Sequence, residues 1–357
     1  MRSLLSVVAV APLLVAQVPV SAEGVADDLG VMSISLKDVL KPKLGIQGQT
    51  QGAGTPNQAG IGGFLPLVVG ENSTFFADVL ANANFGDYSD FSSIINTEVA
   101  GTTISTSSRL GYRWLTSDRS WMFGLNAGYD TRPMKTGPAD TGVSVRKYRS
   151  PLFEQAAVNI EAVSEKFSFN AYSLIPTGDT FQRLNNFYSG GALNTTGFDA
   201  GYKLTEKLAT SVGYYYQDGD GNEADGSGVS AGLAYDLSKD VILIADYTYD
   251  DSFESRYSAG FKMRFNTVSS QKTKSNEEGL NPVIKSLNSS PEYRTVRVHD
   301  RFSLHFNFGA AVDGCVSTVV AGLPLEAALA AAGPEGDAVA AGLPAVECLV
   351  GGAVAGF

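Results

Sequence analysis

Apolar and polar side chains alternate one by one from Thr103 to Asp130. Ile104, Thr106, Ser108, Leu110, Tyr112 and Trp114 share one face, and Thr103, Ser105, Ser107, Arg109, Gly111 and Arg113 share the other. After a polar turn near Thr116–Arg119 the alternation resumes, with Trp121, Phe123, Leu125, Ala127 and Tyr129 opposite Gly124, Asn126, Gly128 and Asp130. A period of two marks a strand whose faces see different surroundings. Here the apolar face gathers aromatic residues near the strand ends while the other carries Arg, Asn and Asp. That is the girdle pattern of a strand crossing a membrane, and a hairpin of a soluble β-sandwich is the competing reading.

The same pattern recurs and predicts twelve strands, at about 44–51, 61–69, 74–85, 103–115, 120–130, 152–163, 166–175, 197–204, 207–217, 227–236, 241–250 and 255–265. The segment 61–69 is nearly all apolar, and Ile242 and Ile244 fall on the face expected to be wet. The connections sort themselves. Short ones lie near Gly70–Ser73, Thr116–Arg119, Ser164–Glu165, Thr205–Glu206 and Leu237–Asp240, and longer ones alternate with them. A membrane barrel has short turns at one rim, long loops at the other and an even strand count, whereas a sandwich has no reason to sort its loops. The expected fold is therefore all-β, a transmembrane antiparallel barrel over 44–265.

Arg109, Arg113, Asp130, Arg256, Lys262 and Arg264 fall on the inward face, as charges that set pore electrostatics, grip a threaded segment or neutralise one another. In a wet lumen a further cation, for example at Asn126, is expected to be mild for folding. The strand ending at Phe265 fits polar-x-Gly-x-x-apolar-x-aromatic through Gly260, Met263 and Phe265. This resembles the signal by which the outer-membrane assembly machinery recognises a closing strand. The chain continues past it. The polar stretch 266–290 is long enough to thread a pore, since about ten extended residues cross ~30 Å. Alternation returns from Tyr293 to Phe308, which reads as a strand or short hairpin at the cell surface. The remainder of the 291–357 segment is rich in Ala, Gly and Val.

Composition narrows the rest. The chain of 357 residues has a formal net charge of −11, without the basic footprint of a nucleic-acid partner. Residues 1–22 read as a signal peptide: Arg2, an apolar run from Leu4 to Val18, then Val20-Ser21-Ala22. A lead segment follows over 23–43. Cys315 and Cys348 are the two cysteines and are expected to pair in an exported protein. The two histidines, His299 and His305, lie beyond the strand series and read as exposed, so no catalytic residue is expected. No cofactor or zinc site is expected either. Asp218-Gly219-Asp220-Gly221-Asn222-Glu223-Ala224-Asp225 resembles part of a calcium loop, but Val229 stands where such a loop ends in Glu, and a solvated loop is favoured.

Several stretches, in order, resemble the β-domain of the inverse autotransporters, the intimin/invasin type. They are Pro66-Leu67 through Phe75-Phe76-Ala77-Asp78, Arg109-Leu110-Gly111-Tyr112-Arg113, Gly124 to Asp130, Asn170-Ala171-Tyr172 with Ile175-Pro176, Gly197-Phe198-Asp199, and Tyr293 to Asn307. The resemblance covers roughly residues 60–308. It implies a twelve-stranded outer-membrane barrel that anchors a C-terminal passenger, with the linker in the pore and the C-terminus outside. The implied partners are outer-membrane lipid, the barrel assembly machinery and a host or neighbouring-cell ligand. This sequence departs from the type in showing no tandem immunoglobulin-like repeats. A free-standing porin-like channel is the alternative.

Overall fold

In the computed structural model the described residues are 35–220, 224–266 and 281–303. The expectations for the signal peptide, most of the lead and linker, His305 and the Cys315–Cys348 pair fall outside them. So does the centre of the acidic loop, at 221–223.

Twelve strands close into one antiparallel barrel. They are β1 (Lys43–Gln49), β2 (Asn57–Val69), β3 (Ser73–Phe85), β5 (Thr103–Leu115), β6 (Met122–Pro133), β8 (Leu152–Val163), β9 (Phe167–Thr177), β12 (Asn194–Lys203), β13 (Leu208–Asp218), β14 (Gly226–Ser238), β15 (Val241–Asp250) and β16 (Glu254–Asn266). Each pairs with its neighbour along the chain, and β1 pairs with β16 from Lys43↔Asn266 to Gln49↔Gly260. Closure leaves no edge with unpaired backbone groups, which hydrocarbon would penalise heavily. Pro66, which has no N–H to donate, sits where the β2–β3 register shifts.

The outward face is apolar from strand to strand. Ile61, Val79, Ile104, Leu110, Leu125, Ile160 and Val212 are each more than half exposed, and such side chains stay outside only against lipid. At the short-turn rim the aromatics touch one another around the barrel: Tyr112 with Trp114, Trp114 with Phe123, Phe123 with Trp121, Trp121 with Phe169, Phe169 with Phe167, and Phe167 with Tyr202. At the opposite rim Tyr129, Tyr216, Tyr249 and Tyr257 are exposed. Two aromatic girdles thus bound an apolar belt, which defines a transmembrane barrel. No helix among the described residues is long and apolar enough to cross a membrane.

The long-loop rim holds structure that alternation does not forecast. The strands β4 (Thr97–Val99) and β7 (Thr136–Ala139) pair there, and β10 (Phe181–Arg183), β11 (Tyr188–Ala192) and β17 (Val298–Phe302) form a three-stranded sheet. Ile94, Val99, Met134, Phe153, Leu184, Ala192, Val296 and Val298 make its buried core. Two short helices complete the description, α1 (Leu36–Val39) ahead of β1 and α2 (Pro282–Ser286) after β16.

Candidate functional site

The lumen is the site, and the chain's own residues 281–303 occupy it. The segment enters at the short-turn rim with α2, whose first turn is capped by Asn281 Oδ1 accepting from the Val283 N–H at 2.8 Å, with Pro282 at the start. Val283, Ile284 and Leu287 are fully buried. The chain then extends through the barrel and ends in β17, paired with β11 from Ala192↔Val298 to Tyr188↔Phe302.

Three wall arginines hold its backbone at successive heights. Near the short-turn end of β5, Arg113 donates through Nη1 to the Leu287 carbonyl at 3.3 Å and the Ser289 carbonyl at 2.6 Å. Its Nε and Nη2 bind Glu161 at 2.8 and 3.0 Å, and its plane lies over the Phe76 ring at 4.6 Å. Gly111 beside it carries no side chain, and a Cβ there would come within 2.4 Å of Phe76. Two inward positions further along, past Gly111, Arg109 forks onto Asp130 at 2.7 and 2.8 Å and donates to the Tyr293 carbonyl at 2.9 Å. At the long-loop end of β6, Arg132 donates to the carbonyls of Val296, at 2.8 Å, and Gly54. All three arginines are 1% exposed. Burying a guanidinium is costly unless its donors are matched; Arg113 and Arg109 use the fork on carboxylates and carbonyls together, whereas Arg132 bonds through Nη1 alone and leaves Nε and Nη2 without a partner among the described residues.

The threaded segment answers with side chains of its own. Arg294 pairs with Asp78, Arg297 reaches Asp250 at 3.3 Å and lies over the Tyr215 ring at 4.7 Å, and Glu292 pairs with Lys262 at 2.7 Å. Tyr293 stacks on Tyr172 with centroids 3.7 Å apart and donates its hydroxyl proton to Asp199. Where the segment leaves the lumen, the Val298 N–H donates to the Gly54 carbonyl at 3.0 Å. Gly54 has φ +69, and a Cβ there would lie 3.0 Å from the Val298 carbonyl oxygen. Only glycine lets the loop come this close in that conformation.

Beside the segment, towards β1 and β12–β16, an open cavity of about 650 Å³ remains, lined among others by Asp199, Asp246, Lys262 and Arg264. Of the six charges expected to face inward, Arg109, Arg113 and Asp130 are buried, and Arg256, Lys262 and Arg264 line the cavity. Arg109, Arg113 and Lys262 bond the threaded segment, Asp130 holds Arg109, and Arg256 lies over the Phe91 ring at 4.4 Å. Gly260, Met263 and Phe265 sit on β16 as expected, with Phe265 47% exposed on the lipid side.

Three expectations are corrected. Tyr293 is not outside the barrel but deep in it, because its ring and hydroxyl find Tyr172 and Asp199 there, so the threading segment extends past Ser290 to about Arg297. His299 is fully buried, because both faces of β17 are covered from Val298 to Asp300. The lumen is not simply wet on the β5–β9 side: Asn126, 2% exposed, donates to Glu161 at 3.2 Å and accepts from Asn159 at 3.0 Å. In the acidic loop, whose centre lies outside the described residues, Asp218 accepts from Asn194 and Asp225 accepts from the Gly219 N–H. Among the described residues no cluster fit to hold a metal is present.

Arg132 lies two residues beyond the strand end expected at Asp130. Carried two residues further, the alternation Asn126, Gly128, Asp130 points Arg132 inward, and β6 does run to Pro133. The short strands of the rim carried no comparable signal.

In sum the chain is a transmembrane β-barrel occupied by its own C-terminal segment. No family model matches it, and no curated protein does. Among solved structures, a chain from work on the in-meso crystallization of membrane proteins is similar with a TM-score of 0.53 at 13% identity, covering 73% of this chain and 100% of that one. More distant are the translocator domain of autotransporter NalP from Neisseria meningitidis (TM-score 0.37, 14% identity, 66% of this chain and 91% of that one) and KdgM porin (TM-score 0.34, 8% identity, 63% and 99%).

Proposed function

We propose that this protein is an outer-membrane anchor of the inverse-autotransporter kind. The barrel sits in lipid, its closing strand is the handle for the assembly machinery, and residues 304–357 are carried to the cell surface as a short passenger. One observation carries this reading: the segment after β16 crosses the lumen from the short-turn rim to the long-loop rim and is held on the way by Arg113, Arg109 and Arg132. In outer-membrane barrels long loops face outward, so the chain leaves on the outer side. Adhesion to a host or neighbouring cell is the use proposed for such a passenger.

The open cavity beside the segment favours a second reading, a porin-like channel whose tail is incidental. Labelling intact cells with a membrane-impermeant thiol reagent after mild reduction separates the two. Anchor function expects Cys348 to react on intact cells. Reaction only after the outer membrane is permeabilised puts the tail in the periplasm and leaves the channel.

A further inference from the structure

One connection at the long-loop rim differs from the others in charge. The chain as a whole carries −11, and the loops after β3 and β13 are acidic, with Asp87, Asp90 and Glu98 in one and Asp220, Glu223 and Asp225 in the other. The connection from β6 to β8 instead presents Lys135, Arg146, Lys147 and Arg149, all exposed, with Tyr148 exposed among them. Its one carboxylate, Asp140, is half-buried and accepts from the Ser92 N–H at 3.3 Å.

The basic run is fastened by its backbone. The Arg146 N–H donates to Asn186 Oδ1 at 2.6 Å, and its carbonyl accepts from the Asn186 N–H at 3.1 Å. The Arg149 N–H donates to the Leu184 carbonyl at 3.0 Å, and its own carbonyl accepts from the Thr136 N–H at 3.1 Å. Val145 is tucked in at 8% exposure, and Lys147 stands in the left-handed region at φ 56. A non-glycine residue stays there only when its surroundings over-determine it. Main chain is thus anchored on both sides of Lys147 while the basic side chains remain at the surface. Thr136 and Leu184, the anchors, bring Lys135 and half-buried Arg183 alongside.

The height of the run is set by β8. Leu152, 45% exposed on the lipid face, begins that strand three residues after Arg149. Three residues span at most ~10 Å, and the headgroup layer outside the ~30 Å hydrocarbon is about 5–8 Å thick. The Arg149 guanidinium is therefore within reach of the headgroup phosphates, which arginine forks bind in bidentate fashion, with the rest of the run beside it. Tyr148 offers the half-apolar ring that suits such a boundary.

We propose that this basic ridge, Lys135 with Arg146–Arg149, is a docking surface for the phosphorylated lipid headgroups of the leaflet at the long-loop rim. The ridge would act in this way whether or not the tail is displayed. The test uses the full-length protein in nanodiscs of phosphatidylcholine with diphosphoryl lipid A. Lipid A retained after transfer to neutral detergent is counted by native mass spectrometry. Near an anionic surface each basic side chain contributes about fivefold, so the triple variant Arg146→Gln, Lys147→Gln, Arg149→Gln is expected to lose retention on the order of a hundredfold. Glutamine leaves the backbone anchors intact, and a migration shift on boiling verifies the barrel. If the triple variant does not fold, Arg149→Gln alone is read for about a fivefold loss. Equal retention by folded variant and wild type overturns the proposal. Complete displacement of lipid A by inorganic phosphate at matched phosphate concentration also overturns it, in favour of a free-phosphate site.

Discussion

Arg113 uses its fork on two partners at once, a wall carboxylate and the threaded backbone. Replacing it with Met leaves Glu161 buried beside one amide donor, Asn126, and unfastens Leu287 and Ser289. Breaking one side of a buried ion pair costs about 3–5 kcal/mol. The urea midpoint of the reconstituted barrel is expected to fall accordingly, with Arg113→Lys between the two because an ammonium cannot fork. A wild-type midpoint for Arg113→Met contradicts the pairing. On the outside, Leu110→Arg puts a cation in lipid at roughly 2–4 kcal/mol near the midplane. Asn126→Arg, mild in a wet lumen, is now expected to cost at least as much as overpacking a core, about 1–3 kcal/mol, because Asn126 is enclosed by Glu161, Asn159 and the β6 wall. Facing was legible at this scale because a strand allows only two directions. What fills the space in front of an inward residue was not, since that depends on a segment nearly two hundred positions away.

Among the elements, β16 and β17 carry opposite lessons. The closing strand could be read from its alternation, and Phe265→Asp is expected to abolish assembly into membranes, seen as loss of the boiling-sensitive gel band. The strand β17 is short and covered on both faces over its first three residues, so its alternation does not sort buried from exposed there. It also holds two titrating groups side by side. Burial lifts the Asp300 carboxyl from 3.8 to about 7 and lowers the His299 imidazole from 6.5 to about 4. A raised carboxyl contributes stability that is present below its unfolded value and lost as pH rises through 7. A depressed histidine contributes stability that is present above 6.5 and lost as pH falls towards 4. Between about 4 and 6.5 the two slopes cancel. Amide exchange of residues 298–302 is therefore expected to be flat with pH in the wild type over this window. Asp300→Asn should lose protection as pH falls, and His299→Gln should lose it as pH rises. Parallel profiles in the two variants would contradict the assignment. The strands β10 and β11 were invisible in sequence for the same reason as β17: three to five residues, with β11 wholly buried, offer no face to alternate.

For the whole molecule, the barrel and the segment that fills its lumen are separable in energy. Ending the chain after Asn266 lets water into the lumen and rehydrates Arg109, Arg113 and Arg132, so closure by β1 and β16 is expected to survive. Conductance in planar bilayers is expected to rise well above that of the intact chain, whose lumen is narrowed to a side cavity of about 650 Å³ among the described residues. Unchanged conductance would mean that residues 281–303 do not fill the pore. Sequence conveyed this architecture because strand count, loop sorting and the polar stretch after Phe265 are each local. The depth of Tyr293 is a matter of fit with Tyr172 and Asp199, and no local pattern encodes it.

The wall arginines make contact with main-chain oxygens. Arg113, Arg109 and Arg132 ask for a carbonyl at a given height and are indifferent to what side chain hangs beside it. Spelling and spacing are thereby decoupled. A substitution at Ser289 or Val296 keeps its carbonyl where it was. A single residue inserted between Ser289 and Tyr293 displaces every later carbonyl by a full step, and with it Arg294 from Asp78 and Val298 from Gly54. In a lineage of such chains this stretch would be fixed in length throughout, a ruler whose marks are peptide groups, and fixed in letters only where a side chain also grips the wall, at Glu292, Tyr293, Arg294 and Arg297.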